Sequence, residues 1–230
     1  MTRHTILLAA LILSLSAVAH AEAPLSAAEG SPGGLAATDH VEWSSAERGR
    51  AAHQGLMLRM GAGFGVFGAG IQTQDAVERG VGGAGPALNL LVGATIAPNL
   101  ALHADVMLMG ADYARSGVEG ERHTKRASGL GLLAGGFGAT YFFRRYDISL
   151  TASALYASMS FDSADGYSYS SDAAVLGKFD VTKEWALSDV WGMGLGASVF
   201  AGYARGVDSE QRESDSALGG VSLNAVATYL

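Results

Sequence analysis

Residues 179–203 read FDVTKEWALSDVWGMGLGASVFAGY. Trp191, Met193, Leu195, Ala197, Val199, Ala201 and Tyr203 share one parity, and all are apolar or interfacial. Gly192, Gly194, Gly196, Ser198 and Gly202 hold most of the other parity, which is small or polar. Successive side chains of a strand point to opposite faces. One face therefore suits hydrocarbon, and the other suits a crowded or wet interior. Trp191 and Tyr203 end the apolar face, as an outward apolar band with an aromatic girdle at each interface requires. Before them, Lys178, Asp180, Thr182 and Glu184 take the inward parity, and 186–189 turn the chain back. The stretch predicts one β-hairpin of a membrane barrel.

The same period recurs along the chain. Over 55–67, Leu56, Leu58, Met60, Ala62, Phe64 and Val66 face out, while Arg59, Gly61, Gly63 and Gly65 face in. Over 87–97, Leu88, Leu90, Val92, Ala94 and Ile96 face out; over 100–109, Leu102, Ala104, Val106 and Leu108 do, with His103 and Asp105 inward. Residues 129–143 carry Leu133, Phe137, Ala139, Tyr141 and Phe143 on one face. Over 146–161, Ile148, Leu150, Ala152, Ala154 and Tyr156 face out, and Asp147, Ser149, Thr151 and Ser153 face in. The strands at 174–185 and 191–203 follow, and 218–230 closes the set with Val221, Leu223, Ala225, Ala227 and Tyr229 outward. That makes eight strands.

Pro98-Asn99, Arg144-Arg145 and 186–189 are short turns, and they alternate with polar stretches at 72–85, 111–128, 162–172 and 205–216. Short periplasmic turns and longer outer loops are the habit of outer-membrane barrels. An even strand count puts both ends of the mature chain in the periplasm.

Two rival folds are weighed against this. The uncharged run 81–102 is long enough for a membrane helix, but Pro86 and Pro98 leave only 87–97 between breakers. The run 127–143 offers Gly131, Gly135, Gly136 and Gly138 as a small-residue helix face. A soluble barrel would reverse the parity and put the apolar face inside. Inward Arg59, Asp105, Lys178, Asp180 and Glu184 fit that poorly.

The N-terminus has its own signature. Thr2-Arg3-His4 is a short basic region, an apolar segment runs over 6–19, and Ala19-His20-Ala21 is an A-x-A cleavage site. Residues 1–21 thus read as a secretory signal peptide. Residues 22–53 have no hydrophobic period and read as a flexible periplasmic segment. Residues 54–230 form the barrel domain. The chain has no cysteine, which excludes a lipoprotein anchor and a disulfide framework. Removing Arg3 with the leader takes the formal charge from −7 to −8, which argues against nucleic acid.

Glycine reaches 32 residues while proline stays at 4, and the glycines fall inside the apolar runs. Small inward side chains suit a narrow barrel.

Chemistry is sparse. Inward His103 and Asp105 are candidates for a polar relay. The competing reading is an interior ion-pair network with Arg59, Lys178, Asp180 and Glu184, since buried charges must be paired. That reading is the stronger one. His123 in the charged run 119–126, with Glu121 and Ser128, is a remote candidate for a lipid-modifying site. Metal-ligand spacing is absent, and the glycine runs lack the lysine and helix of a phosphate loop. Neither a metal nor a cofactor is expected. Tyr141, Trp185, Trp191, Tyr203 and Tyr229 form the expected aromatic girdle.

Three segments carry a resemblance: His53-Gln54-Gly55-Leu56-Met57-Leu58-Arg59, Gly136-Phe137-Gly138-Ala139-Thr140-Tyr141-Phe142-Phe143, and Lys183-Glu184-Trp185 with Ser188-Asp189 and Trp191-Gly192-Met193-Gly194. Over 53–230 the chain resembles small outer-membrane β-barrel proteins of Gram-negative bacteria, the broad OmpA/OmpW-like group, in the manner of its uncharacterised myxobacterial-type members. The group includes structural barrels, adhesion or resistance proteins, and narrow porin-like passages. The resemblance implies outer-membrane lipid as the surroundings, and the barrel-assembly machinery and periplasmic chaperones as partners. Small hydrophobic solutes are possible ligands within such a group.

The expectation is an all-β, eight-stranded antiparallel transmembrane barrel of up-and-down topology. Its expected role is structural or surface-binding, without catalysis, around a polar plugged interior. A passage for small hydrophobic solutes is the alternative, and a lipid-modifying enzyme ranks behind both.

Overall fold

The structure, a computed structural model, describes residues 55–230 apart from 74–77, 112–113, 119–124, 164–165, 167, 189 and 209–211. The leader, the segment 22–53, His123 and Glu121 lie outside the described residues.

Nine antiparallel strands follow one another: β1 (Leu56–Thr73), β2 (Glu78–Ala97), β3 (Leu100–Ala111), β4 (Arg115–Val118), β5 (Lys125–Phe143), β6 (Ile148–Ser163), β7 (Ser168–Ala186), β8 (Trp191–Asp208) and β9 (Glu213–Tyr229). Eight of them close a ring in the order β1-β9-β8-β7-β6-β5-β3-β2, with β2 pairing back onto β1. The closing seam holds Leu58 opposite Tyr229 and Leu56 opposite Ala94. Closure leaves no sheet edge, which the absence of water in a bilayer core demands. Residues 81–102 and 127–143 lie largely in β2, β3 and β5, so neither uncharged run is a helix.

The parity of the eight ring strands, over their described residues, is that of a membrane barrel. Phe137 is 78% exposed, Leu223 71% and Leu195 62%, all on the outer wall. The side chains with inward parity, charged ones included, are buried. A soluble barrel would show the opposite arrangement.

Four expectations are corrected. The polar stretches 72–85, 162–172 and 205–216 are mostly strand: β1 runs to Thr73, β2 starts at Glu78, β6 reaches Ser163, β7 starts at Ser168, and β8 and β9 run to Asp208 and from Glu213. Backbone pairing continues there although the outward face becomes mostly polar, because inward Ile71, Val81, Phe161, Tyr169 and Ser216 stay buried.

The stretch 111–128 holds an unexpected strand, β4, which pairs with β2 and β5 beyond the end of β3.

Pro86 does not end β2. Pairing to β3 stops at Ala87 opposite Met109, and pairing to β4 covers Arg79–Gly82. Pro86 sits in the gap between them, where its missing N–H breaks no ladder bond.

Finally, Asp147 does not face inward from a strand. It has φ 51° after the 3₁₀ turn Arg144–Tyr146, and its carboxylate lies 3.5 Å from Lys183 at the barrel's end.

The short turns gather at one end of the barrel, together with both ends of the described chain. Thr95 N donates to Gly55 O and Leu230 N donates to Val190 O, each at 3.0 Å.

Candidate functional site

The lumen is filled in three layers, beginning at the short-turn end. The first is thin and apolar: Met57, Leu91 and Ala101 are buried together, with Phe142 and Leu230 packed against them.

The second layer is ionic. Arg59 enters from β1. Its guanidinium pairs with Glu184 of β7, and donates to Thr228 Oγ1 at 3.1 Å, Ser149 Oγ at 3.0 Å and Thr151 Oγ1 at 3.5 Å. The Phe142 ring lies 5.6 Å from the same group. Ser149 Oγ also donates to Glu184 at 3.1 Å. A single cation thus ties β1, β6, β7 and β9 together across the lumen. Planar multi-donor geometry is what arginine supplies and lysine does not.

Deeper in, Lys178 Nζ donates to both oxygens of Asp105, at 3.1 and 2.9 Å, and lies 3.2 Å from Asp180. Ser153 Oγ donates to Asp105 at 2.6 Å. Lys178, Asp105 and Ser153 are all buried. Burial forces this completeness, because a charge left unpaired there would cost several kcal/mol, about 3–5 when one partner is removed.

His103 takes a different partner from the one its spacing suggests. His103 and Asp105 share a face, but Asp105 is spent on Lys178 and Ser153. The imidazole Nε2 instead lies 3.0 Å from Thr140 Oγ1, which lies 2.7 Å from Thr151 Oγ1. Its Nδ1 has no hydrogen-bond partner among the described residues. An acid on that nitrogen would be needed to orient a general base. Gly138 stands opposite His103 on β5, and a Cβ there would sit 2.7 Å from the ring's Cε1. Glycine at 138 is the space the imidazole occupies.

The third layer is apolar and larger, and parity alone does not announce it. Phe67, Ile71, Met107, Met109, Leu130, Leu132, Met159, Phe161, Leu176 and Phe200 are all buried in it. Tyr169 lies within it, its ring 6.1 Å from that of Phe161 and its hydroxyl 3.0 Å from Ser216 Oγ. A Cβ at Gly220 would lie 2.6 Å from Phe67 Cβ and 2.7 Å from Phe200 Cζ. The inward glycines therefore leave no channel here, since neighbouring side chains fill the room they make. The signal for this layer was present in Val106-Met107-Leu108-Met109 and Leu130-Gly131-Leu132-Leu133, where both parities are apolar.

Two small cavities lie in the lumen among the described residues. A cavity of about 20 Å³ lies in the middle of the lumen between Arg59, Asn89, Asp180, Thr182, Ser198 and Asn224. Another of about 60 Å³ opens at the short-turn mouth beside Phe142, Trp191 and Leu230. The larger depression, about 490 Å³, is on the outer wall between Met60, Ala62, Leu88, Leu108, Met193 and Ala225. Among the described residues, no group of three or more His, Asp or Glu side chains is placed to hold a metal ion.

Aromatic residues gather on the outer wall near the short turns. Trp191 and Tyr229 meet edge to face at 5.3 Å, as do Tyr141 and Phe143 at 4.9 Å, and Trp185 is half exposed. Tyr203 is exposed further along β8. From Trp191 to Tyr203 the strand rises about 40 Å, or roughly 30 Å along a barrel axis at a tilt of about 40°. That is the thickness of a bilayer's hydrocarbon core, about 30 Å.

No protein-family model matches the chain, and no curated protein matches it. Solved structures do. The outer membrane protein OprG from Pseudomonas aeruginosa is similar with a TM-score of 0.51 at 10% identity, over 77% of this chain and 97% of OprG. The outer membrane protein AlkL (TM-score 0.47, 13% identity, 88% and 97% covered) and Neisserial surface protein A (0.45, 12%, 76% and 98%) are similar to a lesser degree. At these identities the likeness is one of fold, and the similarity to OprG carries it. Ring closure, outward apolar parity and that similarity agree: the chain folds as an eight-stranded antiparallel transmembrane β-barrel, similar in fold to small outer-membrane barrel proteins.

Proposed function

We propose that this protein is a closed barrel of the Gram-negative outer membrane, with a structural or surface-interaction role and no catalytic one. Residues 1–21 act as its export signal, residues 22–53 lie in the periplasm, and both mature ends are periplasmic. Its partners in this reading are outer-membrane lipid around the apolar wall, and the chaperones and assembly machinery that deliver it. Tyr141, Trp185, Trp191, Tyr203 and Tyr229 are its interfacial girdle. The polar network of Arg59, His103, Asp105, Lys178, Asp180 and Glu184 is its plug.

One observation carries this reading: the lumen's central cavity is about 20 Å³, room for one or two water molecules. A hydrated ion or a solute would need the Arg59–Glu184 and Lys178–Asp105 pairs to part. Single-channel recording of the refolded mature chain in a planar bilayer tests it. Folded protein should stay silent. Discrete, reproducible openings would favour the second reading, a narrow passage for small hydrophobic solutes. That alternative draws support from the apolar third layer around Phe67, Met109 and Phe200.

A further inference from the structure

We propose that the mid-lumen cavity binds one hard monovalent cation, sodium, among the oxygens of Asp180, Asn89, Asn224, Thr182 and Ser198. This site is independent of whether the barrel conducts.

Charge is the first argument. The buried charged side chains among the described residues are two cations, Arg59 and Lys178, and three carboxylates, Asp105, Asp180 and Glu184. Arg59 is matched by Glu184, and Lys178 is shared between Asp105 and Asp180. One negative charge has no counterpart. His103 makes no ion pair with these carboxylates among the described residues, and its Nε2 lies beside Thr140 Oγ1.

Hydrogen bonding is the second argument, and it locates the deficit. Asp180 Oδ2 faces Lys178, but Asp180 Oδ1 is buried without a partner. Asn89 Oδ1 and Asn224 Oδ1 are in the same condition. All three residues line the same mid-lumen cavity. Asp180 and Asn224 are each more than nine-tenths buried. Asn224 directs its amide nitrogen at Ser198 and Ser222, which turns its oxygen away from them.

The guest must therefore satisfy three acceptors and bring a positive charge. Water can donate to these acceptors, but it brings no charge. A cation accepts lone pairs from every oxygen it reaches. An all-oxygen set selects a hard ion, and a single uncompensated charge selects a monovalent one. The volume of about 20 Å³ admits one small guest. Arg59 also borders the cavity, but its charge is matched by Glu184 and four of its five N–H donors go to Glu184, Ser149, Thr151 and Thr228.

The test is thermal unfolding of the refolded mature chain in sodium chloride and in choline chloride at equal ionic strength. Sodium should raise the unfolding temperature saturably, by roughly 3 °C or more, and choline should not. Asp180→Asn should abolish the difference. Asn89→Leu keeps the carboxylate and should move the sodium midpoint to about tenfold higher concentration, equivalent to the loss of one ligand. Equal unfolding in the two salts would overturn the site, as would a sodium effect that survives Asp180→Asn. If Asp180→Asn does not refold, an unchanged sodium midpoint in Asn89→Leu overturns it instead. A crystal from sodium chloride gives a second readout. Contacts shorter than hydrogen bonds to these oxygens are expected; a peak at hydrogen-bond distance that persists in choline is a water and refutes the proposal.

Discussion

The two halves of the lumen solve one problem in opposite ways. Behind the thin apolar layer at the short turns, the inward side chains are Arg59, His103, Asp105, Lys178, Asp180 and Glu184, joined by hydroxyls of β5, β6 and β9. Toward the other end they are phenylalanine, methionine and leucine, from Phe67 to Leu218. The outer wall does not change in this way across the membrane: it is apolar on every strand, because lipid is its solvent. No solvent imposes a polarity on a closed lumen. Its side chains need only complement one another, so ion pairs and aromatic packing both serve.

The contrast predicts different responses to damage. Glu184→Ala leaves Arg59 buried with hydroxyl partners only, and should cost about 3–5 kcal/mol in denaturant unfolding from lipid. Replacing the pair together, as Arg59→Met with Glu184→Leu, should cost less than the single change, because no charge is stranded. An additive result would mean that the two residues do not act as a pair.

Phe200→Ala in the apolar half should also cost about 3–5 kcal/mol, here through the cavity it leaves. A loss much below that would mean the apolar half is loosely filled, and would move attention to the passage reading. Leu195→Arg places a charge in the middle of the outer face and should cost about 2–4 kcal/mol. Unchanged folding in lipid would contradict the parity on which both halves are defined.

The smallest effect is expected outside the apolar band. Arg205 lies 3.5 Å from Asp215 with both side chains mostly exposed. Arg205→Ala should leave the unfolding midpoint unchanged, since solvent and salt screen such a pair. A measurable loss would show that the extended strands beyond the band share in the barrel's cooperative core.

Much of this was legible in the chain itself. The alternation from Trp191 to Tyr203, repeated at Leu56–Val66 and Leu102–Leu108, determines strand and face together. A period of two has only one apolar side, and lipid must cover it. The same parity assigned Arg59, Asp105, Lys178 and Glu184 to the interior.

Three things it did not carry. Polar outward residues beyond the band read as loop, since Ser, Asp and Arg mark turns as readily as a wetted strand. Pro86 read as a stop, since sequence does not say which neighbour its missing N–H would face. Partners across the lumen were invisible as well. Arg59 meets Glu184 because the ring sets β1 opposite β7, 125 residues apart, and Asp105 finds Lys178 rather than its neighbour His103 for the same reason. Parity is a property of one strand, whereas pairing across a lumen depends on closure and register. Those arise only when all eight strands are in place.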